Sequence, residues 1–136
     1  MTREESSIID QSGMREHVMQ LSLPDELMPR AYANARALVF PSRYEGFGLP
    51  VLEAMASGTP AVLCDSSALP EVGGSAASYF KVGDYEDLAN ELVTLLADSS
   101  LQDKMRHEGM LRAKEFSWSR AAQQTADVYR SVVGDK

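Results

Sequence analysis

Two glutamates, Glu45 and Glu53, bracket the stretch of this sequence best suited to chemistry. Between Pro41 and Glu53 the chain reads Pro-Ser-Arg-Tyr-Glu-Gly-Phe-Gly-Leu-Pro-Val-Leu-Glu. An apolar run ends there, a loop with Gly46 and Gly48 follows, and a helix is expected from Pro50. Glycine lets a backbone come close to a ligand or take positive φ. A helix start offers free N–H groups and a partial positive charge, which suits a phosphate or a sugar hydroxyl. Carboxylates beside an anion site make electrostatic sense if they accept hydrogen bonds from hydroxyls. A ligand with both phosphate and polyol parts, such as a nucleoside-diphosphate sugar, meets both demands. Plainer roles remain open. Gly46 and Gly48 serve equally as turn formers, Glu53 suits a first helical turn by charge alone, and Phe47 could plug the core beneath the loop. Glu45, a loop acid just after a buried strand, has no such structural task.

The elements that must position these residues alternate between strand and helix. Ala37 to Phe40 is an unbroken apolar run closed by Pro41, the pattern of a strand buried on both faces of a parallel sheet. A helix from Pro50 to Ser57 stops at Gly58, with proline tolerated in its first turn. Thr59 to Cys64 is a second buried strand and Ala77 to Val82 a third. Upstream, a weak helix is expected over Glu4 to Met14, a short strand over His17 to Leu21, and a helix from about Glu26 to Ala35. From about residue 84 to 133 the chain is helical. Asp84 caps a helix with Leu88, Leu92, Leu95 and Leu96 on one face. Leu101, Met105, Gly109, Ala113 and Phe116 form the next stripe. Ser117 caps the last helix, whose Trp118, Ala121, Ala122, Thr125, Val128, Tyr129 and Val132 share a face. Strands alternating with helices mean a parallel α/β sheet. In such sheets ligands bind at the carboxyl ends of the strands, where the Glu45 loop falls.

Bulk properties narrow the function classes. The 136 residues suffice for one domain and not two. A net charge of −7, with no two basic residues adjacent, argues against nucleic acid as a partner. Cys64 is the only cysteine, so no internal disulfide or cysteine metal site is expected, and it reads as a buried strand-end thiol. The first fifteen residues are too polar for a signal peptide. No apolar stretch approaches the roughly 20 residues needed to span a bilayer. A cytoplasmic protein is expected.

The stretch from Pro41 to Pro60 closely resembles the group 1 (family 4) retaining glycosyltransferases. Glu45 and Glu53 form the E-x7-E motif of that family. It sits in Pro-Ser-x-Tyr-Glu-Gly-Phe-Gly-Leu-Pro-x-Leu-Glu-Ala-Met-Ala-x-Gly-x-Pro, nearly every position of which is present. Leu69-Pro70-Glu71-Val72 and Phe116-Ser117-Trp118 are also similar to the family, and the likeness covers residues 15 to 133.

The resemblance implies a Rossmann-like domain, an incomplete C-terminal half of the two-domain GT-B fold. Glu53 would then bind the ribose hydroxyls, and Glu45 would lie at the transferred sugar. Gly46, Phe47, Gly48 and Leu49 would offer backbone N–H groups to sugar and diphosphate. No metal or other cofactor is implied. The expected partners are a nucleotide sugar and an N-terminal acceptor domain outside this sequence. The complete enzyme could lie peripherally on a membrane. The strands at Ala37, Thr59 and Ala77 would be strands 4, 5 and 6 of the order 3-2-1-4-5-6, with His17 to Leu21 as strand 3. Alone, the chain is expected to lack transfer activity and to form a homo-oligomer or exchange elements between chains. A non-catalytic module that binds nucleotide sugar or pairs with another chain is the alternative.

Overall fold

The computed structural model of the chain describes residues 2–134. Three short strands, β1 (Leu38–Phe40), β2 (Ala61–Cys64) and β3 (Ala77–Phe80), form one parallel sheet in the order β1-β2-β3. The register pairs Val39 with Val62 and Val62 with Ser78. Parallel neighbours need crossover connections. Here these carry α3 (Leu49–Ala56) between β1 and β2, and α4 (Leu69–Gly73) between β2 and β3. The remaining helices are α1 (Arg3–Gln11), α2 (Met28–Asn34), α5 (Tyr85–Ala97), α6 (Ser99–Lys114) and α7 (Trp118–Val133).

β2 is the centre of the core. All four of its residues are buried, and successive strand side chains point to opposite faces, so both faces are covered. Around it pack Val51 and Met55 of α3, Leu69 and Val72 of α4, Leu95 of α5 and Met105 of α6. Burying one such side chain is worth about 1.5–3 kcal/mol. Gly109 lets α6 lie close on α3, since a Cβ there would stand 3.3 Å from Met55 Cγ. The helix starts expected at Asp84 and Ser117 are capped by those side chains. Asp84 accepts from the Asp87 N–H at 2.9 Å, and Ser117 from the Arg120 N–H at 3.2 Å.

Two expectations need correction. His17 to Leu21 is not a strand. Arg15–His17 forms a single 3-10 turn, and Val18, Met19 and Leu21 are exposed. An apolar-rich segment becomes a strand only beside a partner, and no strand among the described residues lies next to it. β1, expected to be buried on both faces, is half-buried throughout, because it is an edge strand with one neighbour. The α7 stripe is amphipathic as expected and has no buried residue. Trp118, Tyr129 and Val132 are 81%, 68% and 80% exposed.

Candidate functional site

The loop between β1 and α3 runs along the carboxyl end of the sheet, beside the turn that follows β2. Its shape follows from Gly48, which has φ 103° and ψ 46° and acts as the N-cap of α3. No side chain caps that helix, and Pro50 in its first turn has no N–H. Among the described residues, the backbone N–H groups of Gly46, Phe47, Gly48 and Leu49 have no hydrogen-bond partner. Unpaired backbone donors leading into a helix N-terminus are groups suited to hold an anion.

The two glutamates flank these donors. Glu45 is half-buried at the start of the loop, and Glu53 is exposed on α3. Tyr32 of α2 points its hydroxyl at Glu53, with its oxygen 3.5 Å from Oε2. Burial first, then the Glu53 charge and this contact, push the Tyr32 phenol above its ordinary value. The Thr59 hydroxyl donates to the Tyr32 carbonyl at 2.5 Å, which ties α2 to the start of β2. Structure thus brings Tyr32, which no motif in the sequence singles out, beside Glu53.

The glycines differ. A Cβ on Gly46 would meet nothing within 4 Å, whereas one on Gly48 would stand 3.1 Å from Leu69 Cδ2. Gly48 is therefore a conformational and packing necessity, and Gly46 leaves open space over the loop. Phe47 does not plug the core. It is 43% exposed and meets Phe116 edge to face, with ring centroids 5.8 Å apart. Leu49 is exposed beside it and lines, with Phe47, Phe116 and Trp118, a groove of about 460 Å³. Arg112 stacks on Phe116, 4.8 Å from the ring centroid. Its guanidinium donates to the carbonyls of Glu71 and Val72 at 2.5 and 3.1 Å and pairs with Glu115.

Arg43 and Tyr44 are exposed, in keeping with surface roles. Cys64 is buried at the end of β2 as expected. Burial first and Asp65 second push its thiol up, against an opposing effect of Arg43. No group of three or more metal-ligating side chains occurs among the described residues. No helix among them is long and apolar enough to cross a membrane.

A parallel α/β sheet with a glycine-shaped loop rich in free N–H groups at its carboxyl edge defines a domain of the Rossmann-like class. Residues 2–112 match the family described as "Glycosyl transferases group 1", and the chain belongs to that family. It is 41% identical over 108 residues to the O-antigen chain mannosyltransferase B of Escherichia coli, covering 79% of this chain. It is 40% identical over 115 residues to the MMP alpha-(1->4)-mannosyltransferase of Mycolicibacterium hassiacum, covering 82% of this chain. The chain spans 28% of the length of each of those relatives. Among solved structures it is similar to sucrose-phosphate synthase from Thermosynechococcus elongatus, with TM-score 0.85 and 27% identity over 96% of this chain and 34% of the other. It is also similar to the C-terminal domain of a group 1 glycosyl transferase from Francisella tularensis, with TM-score 0.72 and 26% identity over 83% of this chain and 60% of the other. The fold is that of the C-terminal half of a GT-B glycosyltransferase.

Proposed function

We propose that this domain holds the nucleoside-diphosphate sugar of a retaining, family 4 glycosyltransferase. The observation that carries the reading is the run of four unpartnered N–H groups, Gly46 to Leu49, between two carboxylates. The N–H groups suit diphosphate and sugar oxygens, and the carboxylates suit hydroxyls. Glu53 accepts hydrogen bonds from the ribose. Glu45 accepts them from the transferred sugar and sets a negative charge near its anomeric carbon. As the bond from that carbon to the diphosphate breaks, the sugar becomes oxocarbenium-like. An acceptor hydroxyl attacks on the face that the diphosphate leaves and passes its proton to the departing diphosphate oxygen, so the configuration is retained. The α3 N-terminus opposes the charge gathering on the diphosphate, and the reading assigns no metal. It places the reaction in the cytoplasm.

The acceptor belongs to a second domain or a complementary chain in this reading. Proximity and orientation can supply about 7–11 kcal/mol of a barrier, so the 136-residue chain alone binds donor without transferring sugar. The bare α7 face and the open edge of β1 each leave a surface that a partner could cover, and also keep a purely pairing role in view. Because several relatives are named mannosyltransferases, an activated mannose is the first donor to try.

The test is calorimetric titration of the chain with GDP-mannose, UDP-glucose and ADP-glucose. At least one should bind, and Glu45→Ala should weaken the nucleotide sugar more than its nucleoside diphosphate. If the chain is folded and binds none of them, the donor reading is wrong.

A further inference from the structure

The loop that carries Glu45 has no strand or helix of its own to hold it. Within the loop, the Ser42 hydroxyl donates to the Tyr44 carbonyl at 3.2 Å. The remaining side-chain hydrogen bonds come from the turn after β2. The Ser66 hydroxyl donates to the Arg43 carbonyl at 2.5 Å. The Ser67 hydroxyl donates to the Glu45 carbonyl at 2.7 Å and accepts from the Glu45 N–H at 3.4 Å. One side chain therefore holds both polar groups of the Glu45 peptide backbone. Two residues on, Leu69 supplies the wall against which Gly48 fits.

Ser67 adopts an unusual backbone to do this. Its φ is 55°, and it is the only non-glycine residue among the described ones with positive φ. A residue with a Cβ avoids that region unless its surroundings impose it. The surroundings here are firm. Cys64 and Leu69 on either side of the turn are buried, and the Ser66 N–H and the Leu69 N–H bond back to the carbonyls of Cys64 and Ser66 at 2.8 and 3.2 Å. The turn is anchored to the core, the loop is anchored to the turn, and Ser67 makes the bond at the residue whose side chain reaches toward the sugar in the donor reading.

We infer that Ser67 is the positioning residue for Glu45. It sets the carboxylate and the N–H groups that follow it at the sugar end of the site, and touches no ligand itself. The inference rests on the donor reading for its functional consequence. Its structural half stands alone, since holding the Glu45 backbone requires no ligand.

Ser67→Gly separates the hydroxyl from the backbone, because glycine accepts φ 55° without strain. Ser67→Ala removes the hydroxyl and keeps the Cβ. In the 136-residue chain, Ser67→Gly should speed hydrogen exchange at the Glu45 amide about tenfold or more and leave the α5 amides unchanged. The same variant should weaken the best-bound probe among GDP-mannose, UDP-glucose and ADP-glucose about tenfold. Binding of the matching nucleoside diphosphate, held from the Glu53 end, should stay within about twofold. Ser67→Ala should reproduce the loss in donor affinity. Unchanged exchange at Glu45 would overturn the inference, as would equal losses for the nucleotide sugar and its diphosphate. A wild-type chain that binds no probe, with Glu45 exchange still accelerated in Ser67→Gly, would leave Ser67 as the holder of the loop and discard the donor reading.

Discussion

Replacing Gly48 and Gly46 singly by alanine should have opposite consequences, although the two lie in one loop. Gly48 has φ 103°, where a residue with a Cβ costs about 1–2 kcal/mol. The new methyl would also stand 3.1 Å from Leu69 Cδ2. Leu69 is fully buried and cannot swing into solvent, so the squeeze adds about 1–2 kcal/mol of overpacking. Gly48→Ala should therefore destabilise the fold by about 2–4 kcal/mol, which for a domain of this size lowers Tm by roughly 8–15 °C. Gly46 keeps an ordinary φ and a Cβ there meets nothing within 4 Å. Gly46→Ala should leave stability within about 0.5 kcal/mol of wild type. That open space is where a donor would approach the backbone, so the same variant should weaken nucleotide-sugar binding about tenfold or more. Thermal and urea unfolding followed by circular dichroism, with calorimetry for the ligand, reads both effects. A Gly48→Ala chain as stable as wild type would refute the strain and packing reasoning. An unaltered donor affinity in Gly46→Ala would refute the close approach of ligand to backbone.

Glu53→Ala should weaken nucleoside-diphosphate binding by about 1.5–3 kcal/mol, the worth of charge-assisted hydrogen bonds, as calorimetry will show. Tyr32→Phe should cost about 0.5 kcal/mol or less in the same titration, since its oxygen lies 3.5 Å from Glu53 Oε2, the outer limit for a hydrogen bond. Burial raises the folded-state pKa of Cys64, Tyr32 and Tyr79 above ordinary values of 9.0, 10.0 and 10.0. The folded chain then holds these protons more tightly than the unfolded one. That stability is present below the ordinary values and is lost as pH rises through the raised ones, so urea midpoints should stay level near neutral pH and fall as pH climbs above about 9. Light scattering at micromolar concentration should find the chain self-associated, because Trp118, Tyr129 and Val132 of α7 are largely exposed and such patches drive association. A sharply unfolding monomer would show that face to be tolerated in water.

The parts of the fold legible in the sequence are those whose signals are local. The apolar runs at Leu38 and Ala61 became β1 and β2, and Asp84 and Ser117 cap the helices they were expected to cap. His17 to Leu21 failed because pairing is not local: an apolar-rich segment needs a neighbour, and its side chains instead meet water. The α7 stripe repeats at helical spacing whether or not anything covers it, so its exposure was not readable from periodicity. α4, five residues long and opened by Leu69 and Pro70, is too short for a periodic signal.

At the candidate site, the glutamates, the glycines and the helix start were all visible as residue types. The relation of Tyr32 to Glu53 was not, since it spans α2 and α3. Nor was the role of Ser67, because serine carries no sequence signal for positive φ, and its partner lies 22 residues away. Phe47 illustrates the same limit. An aromatic in a loop can turn inward or outward, and here Phe116, between α6 and α7, gives it an outside partner.

Backbone amide chemical-shift mapping of the chain during addition of a nucleoside-diphosphate sugar tests the central claim most directly. If the Glu45 loop and the α3 N-terminus form the donor site, the largest shifts should fall on the amides of Gly46, Phe47, Gly48 and Leu49. Smaller shifts should appear around Glu53 and Tyr32, and the amides of α5 should stay in place. Shifts confined to α7, or none at Gly46 to Leu49 at saturating donor, would contradict the account.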